Sequence, residues 1–397
     1  MKTILCIASF EKGHAFLRQC GKQQGWRTLL LTSESLQDAP WPREGLAEIY
    51  FIPDNAKEWD MSVVVNAVSY LMRTQYLDLI VALDDFDVEK AALLREHLRV
   101  PGMGETTVRY FRDKLAMRMK AAEAGIPVPR FVGILNDERI REFMALVPPP
   151  YVLKPRTQAG AIGIQKINSA EELWPALEAL GDRQSFFLLE EFVVGAICHV
   201  DSIVVDGKVV FALASRYGTP PLEVAHEGRV FTTCTLPPSS KDAKALLKLN
   251  KTMLAAFGLR RGVSHSEFIQ GSEGTLYFLE TSARVGGAHI SDLVEAATGL
   301  NLWAEWAKLE TDPNYTVPEH RNDHAGLLVS LAKQEYPDLS VYDDPEVAWR
   351  MTDKRHHAGL VVRSPDPARV ATLVEAYTQR FYTDFFATLP AVTKANY

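Results

Sequence analysis

The spacing of apolar runs changes once along this chain, near Tyr151, and that change limits it to two kinds of sheet. Before it, short apolar runs alternate with helical patterns. "TILCIAS" reads as a strand, Gly13 to Gln24 has helical spacing and stops at Gly25, and "TLLLT" and "AEIYFIP" are further strands. A helix near Val63 to Arg73 leads into "DLIVALDD", and a helix follows from Val88 to Leu98. Strand–helix alternation predicts a parallel sheet flanked by helices. After Tyr151 the runs follow one another: "YVLKP", "FFLLEEF", "HVDSIVV", "KVVFALAS", "VSHSEFIQ" and "TLYFLE". Turn-like "DGK" at 206–208 and "GSEG" at 271–274 mark hairpins, so this part is largely antiparallel. Between the two, "DKLAMRMKAAEA" (113–124) reads as a helix with Leu115, Met119 and Ala122 as its apolar stripe and Gly125 as its stop. The last stretch carries strands near "AGLLVSL" and "GLVVRS" and a helix from about Pro367 to Phe381.

Composition excludes several classes. The 397 residues carry 43 Lys and Arg against 50 Asp and Glu, a net charge of −7, which disfavours a nucleic-acid partner. The four cysteines, Cys6, Cys20, Cys198 and Cys234, contain no Cys-x-x-Cys and read as free thiols of a reducing compartment. The apolar start "MKTILCIASF" stops before "EKGH" without a cleavage pattern, so it reads as a first buried strand rather than a signal peptide. No apolar run is long enough for a bilayer. The expectation is a cytoplasmic protein with no membrane partner. "SFEKGH" has one glycine, which argues against a dinucleotide site, and no Walker P-loop occurs anywhere.

The informative chemistry lies at one strand exit, "FLETSARVGGAHI" (278–290). Taken as a hairpin with a four-residue loop, "VSHSEFIQ-GSEG-TLYFLETS" sets Gln270 opposite Thr275 and Glu267 opposite Phe278. Glu280, two residues on, then shares a face with Glu267. Two acids on one face repel unless a cation lies between them, and a hard divalent ion with oxygen ligands fits. The bland alternative is a pair of solvated carboxylates. Ser282 and Arg284 continue the alternation on the same face. The Arg284 fork suits phosphate or carboxylate, and Gly286 and Gly287 allow a ligand close to the backbone. The helix beyond them, with Ile290, Leu293, Val294 and Ala297 on one face, offers its amino end to an anion. A Gly-Gly turn with a surface arginine is the alternative there.

Two further pieces belong with this exit. Lys154 ends a strand before "TQAGAIG", where Gly160, Ala161 and Gly163 suit a mobile lid over phosphate. "FFLLEEFVVG" ends a strand in Glu190 and Glu191, and the backbone around Phe192 and Val193 suits the edge of a slot for a base.

In order, "RDKLAMR", "VLKPR…AGAIG", "LLEEFVVG…HVD", "HSEF" and "LETSAR" resemble the ATP-grasp superfamily from about Arg112 to Lys308. The match is closest to its carboxylate–amine ligase branch, which includes L-amino-acid (dipeptide) ligases. Biotin carboxylase and D-alanine–D-alanine ligase are more distant. The resemblance implies a mixed α/β and α+β fold in four parts: a Rossmann-like parallel domain (1–110), a small lid subdomain (111–195), a core with the metal site (196–310) and a C-terminal lobe (311–397). It implies ATP and Mg²⁺, with Mn²⁺ as a substitute. Lys114 and Lys154 would hold the α- and β-phosphates. Glu190 would accept from the adenine amino group, with the 191–193 backbone as hinge. Glu267 and Glu280 would bind metal, and Arg284 would stabilise the transferred phosphoryl group or acyl phosphate. His199 matches a position near the nucleoside. Ser282, Gly286, Gly287 and His289 are candidates for substrate contact, and His226 and His289 for the base.

The sequence also departs from the family. Ser282 stands where an asparagine usually follows the second metal acid, and the lid has fewer glycines than many relatives. "AICHVD" lacks the usual ribose acid, for which Asp201 or His199 would substitute. Ala288 replaces the glutamate of carboxylase relatives, which argues against bicarbonate activation. The implied activity is ATP-dependent amide or peptide-bond formation from a small carboxylate and an amine through an acyl phosphate. The alternatives are a carboxylate–thiol ligase, a biotin-carboxylase-like enzyme or a non-catalytic nucleotide-binding protein. A homodimer is admissible.

Overall fold

The computed structural model describes residues 1–388, apart from the side chains of Ala225 and His226. The first sheet is parallel and four-stranded, in the order Glu48–Ile52, Trp26–Ser33, Lys2–Ala8, Leu79–Ala82. Its middle strand, Lys2–Ala8, is buried from Thr3 onward, as the continuous apolar run requires for a strand covered on both faces. The strand Leu79–Ala82 runs out into Asp84 and Asp85, so this parallel sheet delivers two carboxylates at its carboxyl end.

A smaller antiparallel sheet follows, in the order Phe131–Gly133, Phe187–Glu191, Tyr151–Pro155, Gln165–Ile167. One face packs on the helices Asp137–Leu146 and Ala170–Leu180 through Ile140, Phe143, Leu173 and Leu177. The remaining strands form an eight-stranded antiparallel sheet: Leu276–Ser282, Gly262–Gly271, Gly195–Val205, Lys208–Tyr217, Phe231–Thr235, His324–Leu331, His357–Ser364, Val347–Arg350. The C-terminal segment therefore extends this same sheet. Helix Lys241–Phe257 covers one side, and helices Ile290–Thr298 and Leu302–Thr311 cover the other. Phe16 of the amino-terminal part meets Trp306 edge-on at 5.0 Å, and one apolar cluster joins the parallel sheet to the large one. That shared core sets the Asp84–Asp85 loop against the Ser282 strand end. The "DGK" turn is a two-residue hairpin with Asp206 and Gly207 both at positive φ.

Two expectations are corrected. Helix Lys114–Glu123 buries Lys114, Met117, Arg118 and Ala121, whereas Met119 is 61% exposed and Ala122 faces solvent. Its inner face is thus half cationic, which an apolar-stripe reading passes over. The second correction concerns the hairpin register. Gln270 pairs with Leu276, Phe268 with Phe278, and Glu267 directly with Glu280, across a β-bulge at Leu279. The Phe278 amide, on the outer edge of the sheet, donates to Pro127 O at 2.8 Å. The two acids share a face as expected, but as a direct cross-strand pair.

Candidate active site

The Glu267–Glu280 pair is the centre of the site. Like charges directly opposed on a ladder destabilise it unless compensated. Lys114 beside Glu280, and Tyr217 and His265 beside Glu267, offset that repulsion only in part. Lys114 opens its helix, where Asp113 caps Leu115 N at 3.0 Å, and its Nζ lies 2.9 Å from Glu280 Oε2 and donates to Gln158 O at 2.5 Å. Arg156 ties that helix start to the strand Tyr151–Pro155 by forking onto Asp113, with Nε at 2.9 Å from Oδ1, while Lys114 N donates to Arg156 O. Gln158 belongs to the segment expected as the lid. Gly160, Ala161 and Gly163 there all have positive φ.

Glu267 is held differently. Tyr217 Oη donates to its Oε1 at 2.7 Å, and His265 Nε2 lies 3.5 Å from the same oxygen. His265 Nδ1 donates to Asp201 Oδ1 at 2.9 Å, and His199 Nδ1 donates to Asp201 Oδ2 at 2.8 Å. His199 Nε2 meets Thr233 Oγ1 at 2.8 Å. Burial alone would lower the His265 pKa, but Asp201 and Glu267 hold it up at about 10. Burial alone would raise Glu267, and the His265 and Tyr217 contacts bring it below its ordinary value. His199 and Asp201 are fully buried, which removes both from the ribose contact expected of them.

Lys154 and Glu190 form a second buried cluster. Lys154 Nζ lies 2.6 Å from Glu190 Oε2, and Arg118 Nε lies 2.6 Å from Oε1. The Glu190 carboxylate therefore faces two cations rather than standing open to an adenine amino group. None of the three Arg118 guanidinium nitrogens has an aligned hydrogen-bond partner among the described residues. Burial, with Arg118 and Lys114 nearby, pushes the Lys154 ammonium down to about 8 despite Glu190. At the hinge, the amides of Glu191 and Phe192 already donate to Arg130 O and Pro150 O, at 2.8 and 3.1 Å. Lys166 Nζ sits 4.2 Å from the centroid of the Phe192 ring, and Val193 follows at the strand exit.

A further cation, Arg284, lies just past the strand, which ends at Ser282. Its Nε donates to Asp85 Oδ2 at 2.9 Å, and Nη2 reaches the same oxygen. The Ser282 hydroxyl donates to Asp85 Oδ1. Burial would raise the Asp85 pKa, but Arg284, Arg112 and Ser282 pull it well below the carboxylate range. Gly286 is needed for a reason other than ligand approach: an added Cβ would stand 2.9 Å from Asp201 Oδ1 and 3.0 Å from His265 Nδ1. At Gly287 the nearest atom to such a Cβ is Arg284 Nη1, at 4.0 Å. Positive φ falls instead on Ala288 and His289, 50° and 65°, a strained pair of the kind that gathers at functional sites. His289 precedes the helix Ile290–Thr298, with Nδ1 3.0 Å from Asp292 and its ring 4.8 Å from Trp349. The side chain of His226 lies outside the described residues.

Sequence reading missed Asp85, Arg118, Tyr217 and the role of His265. The alternation "HSE" does place His265 on the Glu267 face, so that signal was present. Nothing local pairs Asp85 with a residue 199 positions away.

Charge tests the fit of a metal–nucleotide. Two directly opposed acids, a lysine whose ammonium is destabilised by burial and a guanidinium without aligned partners leave both signs under-compensated. A divalent cation between the acids and phosphates against Lys114, Lys154 and Arg284 would compensate both.

The fold and this charge arrangement resemble those of an ATP-grasp protein. Residues 147–292 match the ATP-grasp domain, and the chain carries that domain. It is 26% identical over 277 residues to an L-arginine-specific L-amino acid ligase of Bacillus subtilis, spanning 68% of this chain and 66% of that one, just under two thirds of the relative's length. The fold superposes on an L-amino acid ligase from Bacillus licheniformis with a TM-score of 0.76 at 16% identity, covering 98% of this chain and 99% of that one. It also superposes on an N5-carboxyaminoimidazole synthetase from Staphylococcus aureus complexed with ADP, with a TM-score of 0.73 at 16% identity, covering 95% and 97%. Among the described residues, no helix is long and apolar enough to cross a membrane.

Proposed function

We propose that this chain is an ATP-dependent carboxylate–amine ligase, forming ADP, phosphate and an amide or peptide bond between small acids of the amino-acid type. One observation carries the reading: Glu267 and Glu280 are brought directly opposite each other, with Lys114 beside Glu280 and Arg284 just past the same strand. The amino-acid ligase relative of Bacillus subtilis supports the substrate class.

Lys114 and Lys154 would hold the nucleotide phosphates, Glu191 to Val193 would edge the base, and the 157–163 segment would close over the phosphates. Glu267 and Glu280 would hold Mg²⁺, or Mn²⁺ in its place, which supplies neutralisation of phosphate oxygens. The substrate carboxylate takes the γ-phosphoryl group and ADP leaves. The amine then attacks the acyl carbon, phosphate leaves and the amine loses a proton. Arg284 stabilises the charge of the moving phosphoryl group by its fixed fork. Dry surroundings protect the acyl phosphate from water. The place of action is the cytoplasm, and a homodimer is the assembly to test by light scattering.

The test is a pairwise panel of amino acids scored by phosphate release, with hydroxylamine as a trap. Phosphate release that needs both an acid and an amine, and a hydroxamate formed with ATP and the acid, support the ligase. ADP formation indifferent to every amine overturns it.

A further inference from the structure

The two oxygens of Glu267 are not equivalent. Both side-chain contacts fall on Oε1: the Tyr217 hydroxyl at 2.7 Å and His265 Nε2 at 3.5 Å. Oε2 has no hydrogen-bond partner among the described residues. The groups behind Oε1 form one buried unit. Tyr217 lies over the His199 ring, with centroids 4.8 Å apart, and His199 and His265 each donate to a different oxygen of Asp201. Thr233 closes the far end at His199 Nε2. The loop after Arg284 is built around this unit, since Gly286 leaves no room for a Cβ beside Asp201 and His265.

His199, Asp201 and His265 bring ligand atoms within 4.8 Å of one another, close enough to hold an ion themselves. Yet both Nδ1 atoms are spent on Asp201, both Asp201 oxygens are spent on the rings, and the three residues are buried. The unit is internally satisfied. Toward the hairpin acids it contacts Glu267, through His265 Nε2, which also lies 3.5 Å from Tyr217 Oη.

We infer that Tyr217 and His265, the latter oriented by Asp201 and His199, are positioning residues that tether Glu267 Oε1 and leave Oε2 as the single oxygen presented to a divalent cation. The inference rests on Glu267 being a metal ligand. One tethered oxygen enforces one-point ligation, which suits the small octahedral ions. A released carboxylate can chelate with both oxygens, which suits Ca²⁺. Groups that orient a metal ligand from behind typically change metal affinity by roughly 10–100-fold when removed.

The experiment measures Mn²⁺ binding to the full chain with β,γ-methylene-ATP, by electron paramagnetic resonance of free Mn²⁺, with Ca²⁺ as competitor. Tyr217→Phe removes one hydroxyl and no volume to speak of. It should weaken Mn²⁺ about tenfold and narrow the Mn²⁺-over-Ca²⁺ preference, while binding of the metal-free analogue and the melting temperature stay at wild type. His265→Gln, whose amide reaches the Nε2 position, should keep more Mn²⁺ affinity than His265→Asn, which keeps only the Asp201 contact. Glu267→Gln is the control for the underlying assignment. If it binds Mn²⁺ normally, the ligand assignment itself fails. If it loses Mn²⁺ while Tyr217→Phe and His265→Asn stay within twofold of wild type with unchanged ion preference, the tether is overturned. Should Tyr217→Phe fail to fold, the His265 pair decides, and equal Mn²⁺ affinity in His265→Asn and wild type overturns the inference.

Discussion

Arg284 directs two guanidinium nitrogens, Nε and Nη2, at one oxygen of Asp85, which comes from the loop after the last strand of the parallel sheet. This ion pair links the amino-terminal sheet to the hairpin that carries Glu267 and Glu280, and both partners are largely buried. Breaking a buried pair by neutralising one partner typically costs about 3–5 kcal/mol, because the other charge stays buried. Asp85→Asn and Arg284→Gln should each destabilise on that scale, and the double variant should cost less than their sum. Urea unfolding of the three variants decides it, and strict additivity would show that the pair is not coupled.

The same arginine carries a kinetic prediction. Arg284→Lys keeps the charge but loses the planar fork. Its loss should fall on kcat rather than on ATP affinity, by roughly 2.7–4 kcal/mol if the contact is strongest in the transition state. Steady-state rates beside calorimetric ATP titration separate the two. Normal kcat would return "SARVGGAH" to a structural turn clamped by Asp85.

Glu267→Gln and Glu280→Gln should each abolish turnover and leave the fold intact, because a neutral amide halves the charge that holds the ion. Glu280 already neutralises Lys114 at 2.9 Å, so Glu280→Gln should disturb the free protein more than Glu267→Gln does. Rates across a magnesium titration, with a melt of each variant, check both statements. Full activity at ordinary magnesium in either contradicts the assignment.

Lys154 links nucleotide binding to pH. Burial holds its pKa near 8 in the free protein, and a bound phosphate favours the charged form. Binding near pH 8 should therefore take up about half a proton, fading toward pH 6.5. Calorimetry in buffers of different ionisation enthalpy measures it, and a buffer-independent enthalpy at pH 8 would refute it. Lys154→Ala and Lys114→Ala should each weaken ATP by about 1.5–3 kcal/mol. The stability linkage has the opposite sense to a gained partner. The folded pKa lies below the unfolded value of about 10.4, so the unfolded chain binds more protons between the two, and this residue's contribution to stability rises with pH across that window.

Met119 and Arg118 test the corrected face of the helix Lys114–Glu123. Met119→Lys should change stability by no more than about 0.5 kcal/mol, because the side chain is exposed. Arg118→Ala should weaken the Lys154–Glu190 arrangement and so alter ATP affinity as well. Thermal melts and ATP titration read both, and the reverse ranking would restore the apolar stripe.

Local period and turn chemistry determined much of this protein. Strand and helix alternation up to Leu98 specified the parallel sheet, and "DGK" specified a hairpin. These properties survive in sequence because each depends on residues a few positions apart. The rest required the folded chain. The direct Glu267–Glu280 pairing depends on a bulge at Leu279, which shifts the register that the turn spacing predicts. The cationic inner face of the helix is tolerated because Glu280 and Glu190 come from two other strands to meet it. Asp85 finds Arg284 and Ser282 only because the shared apolar core docks one sheet against the other. A charge buried by folding takes its partner from whichever element topology brings within reach, and no spacing along the chain records that distance.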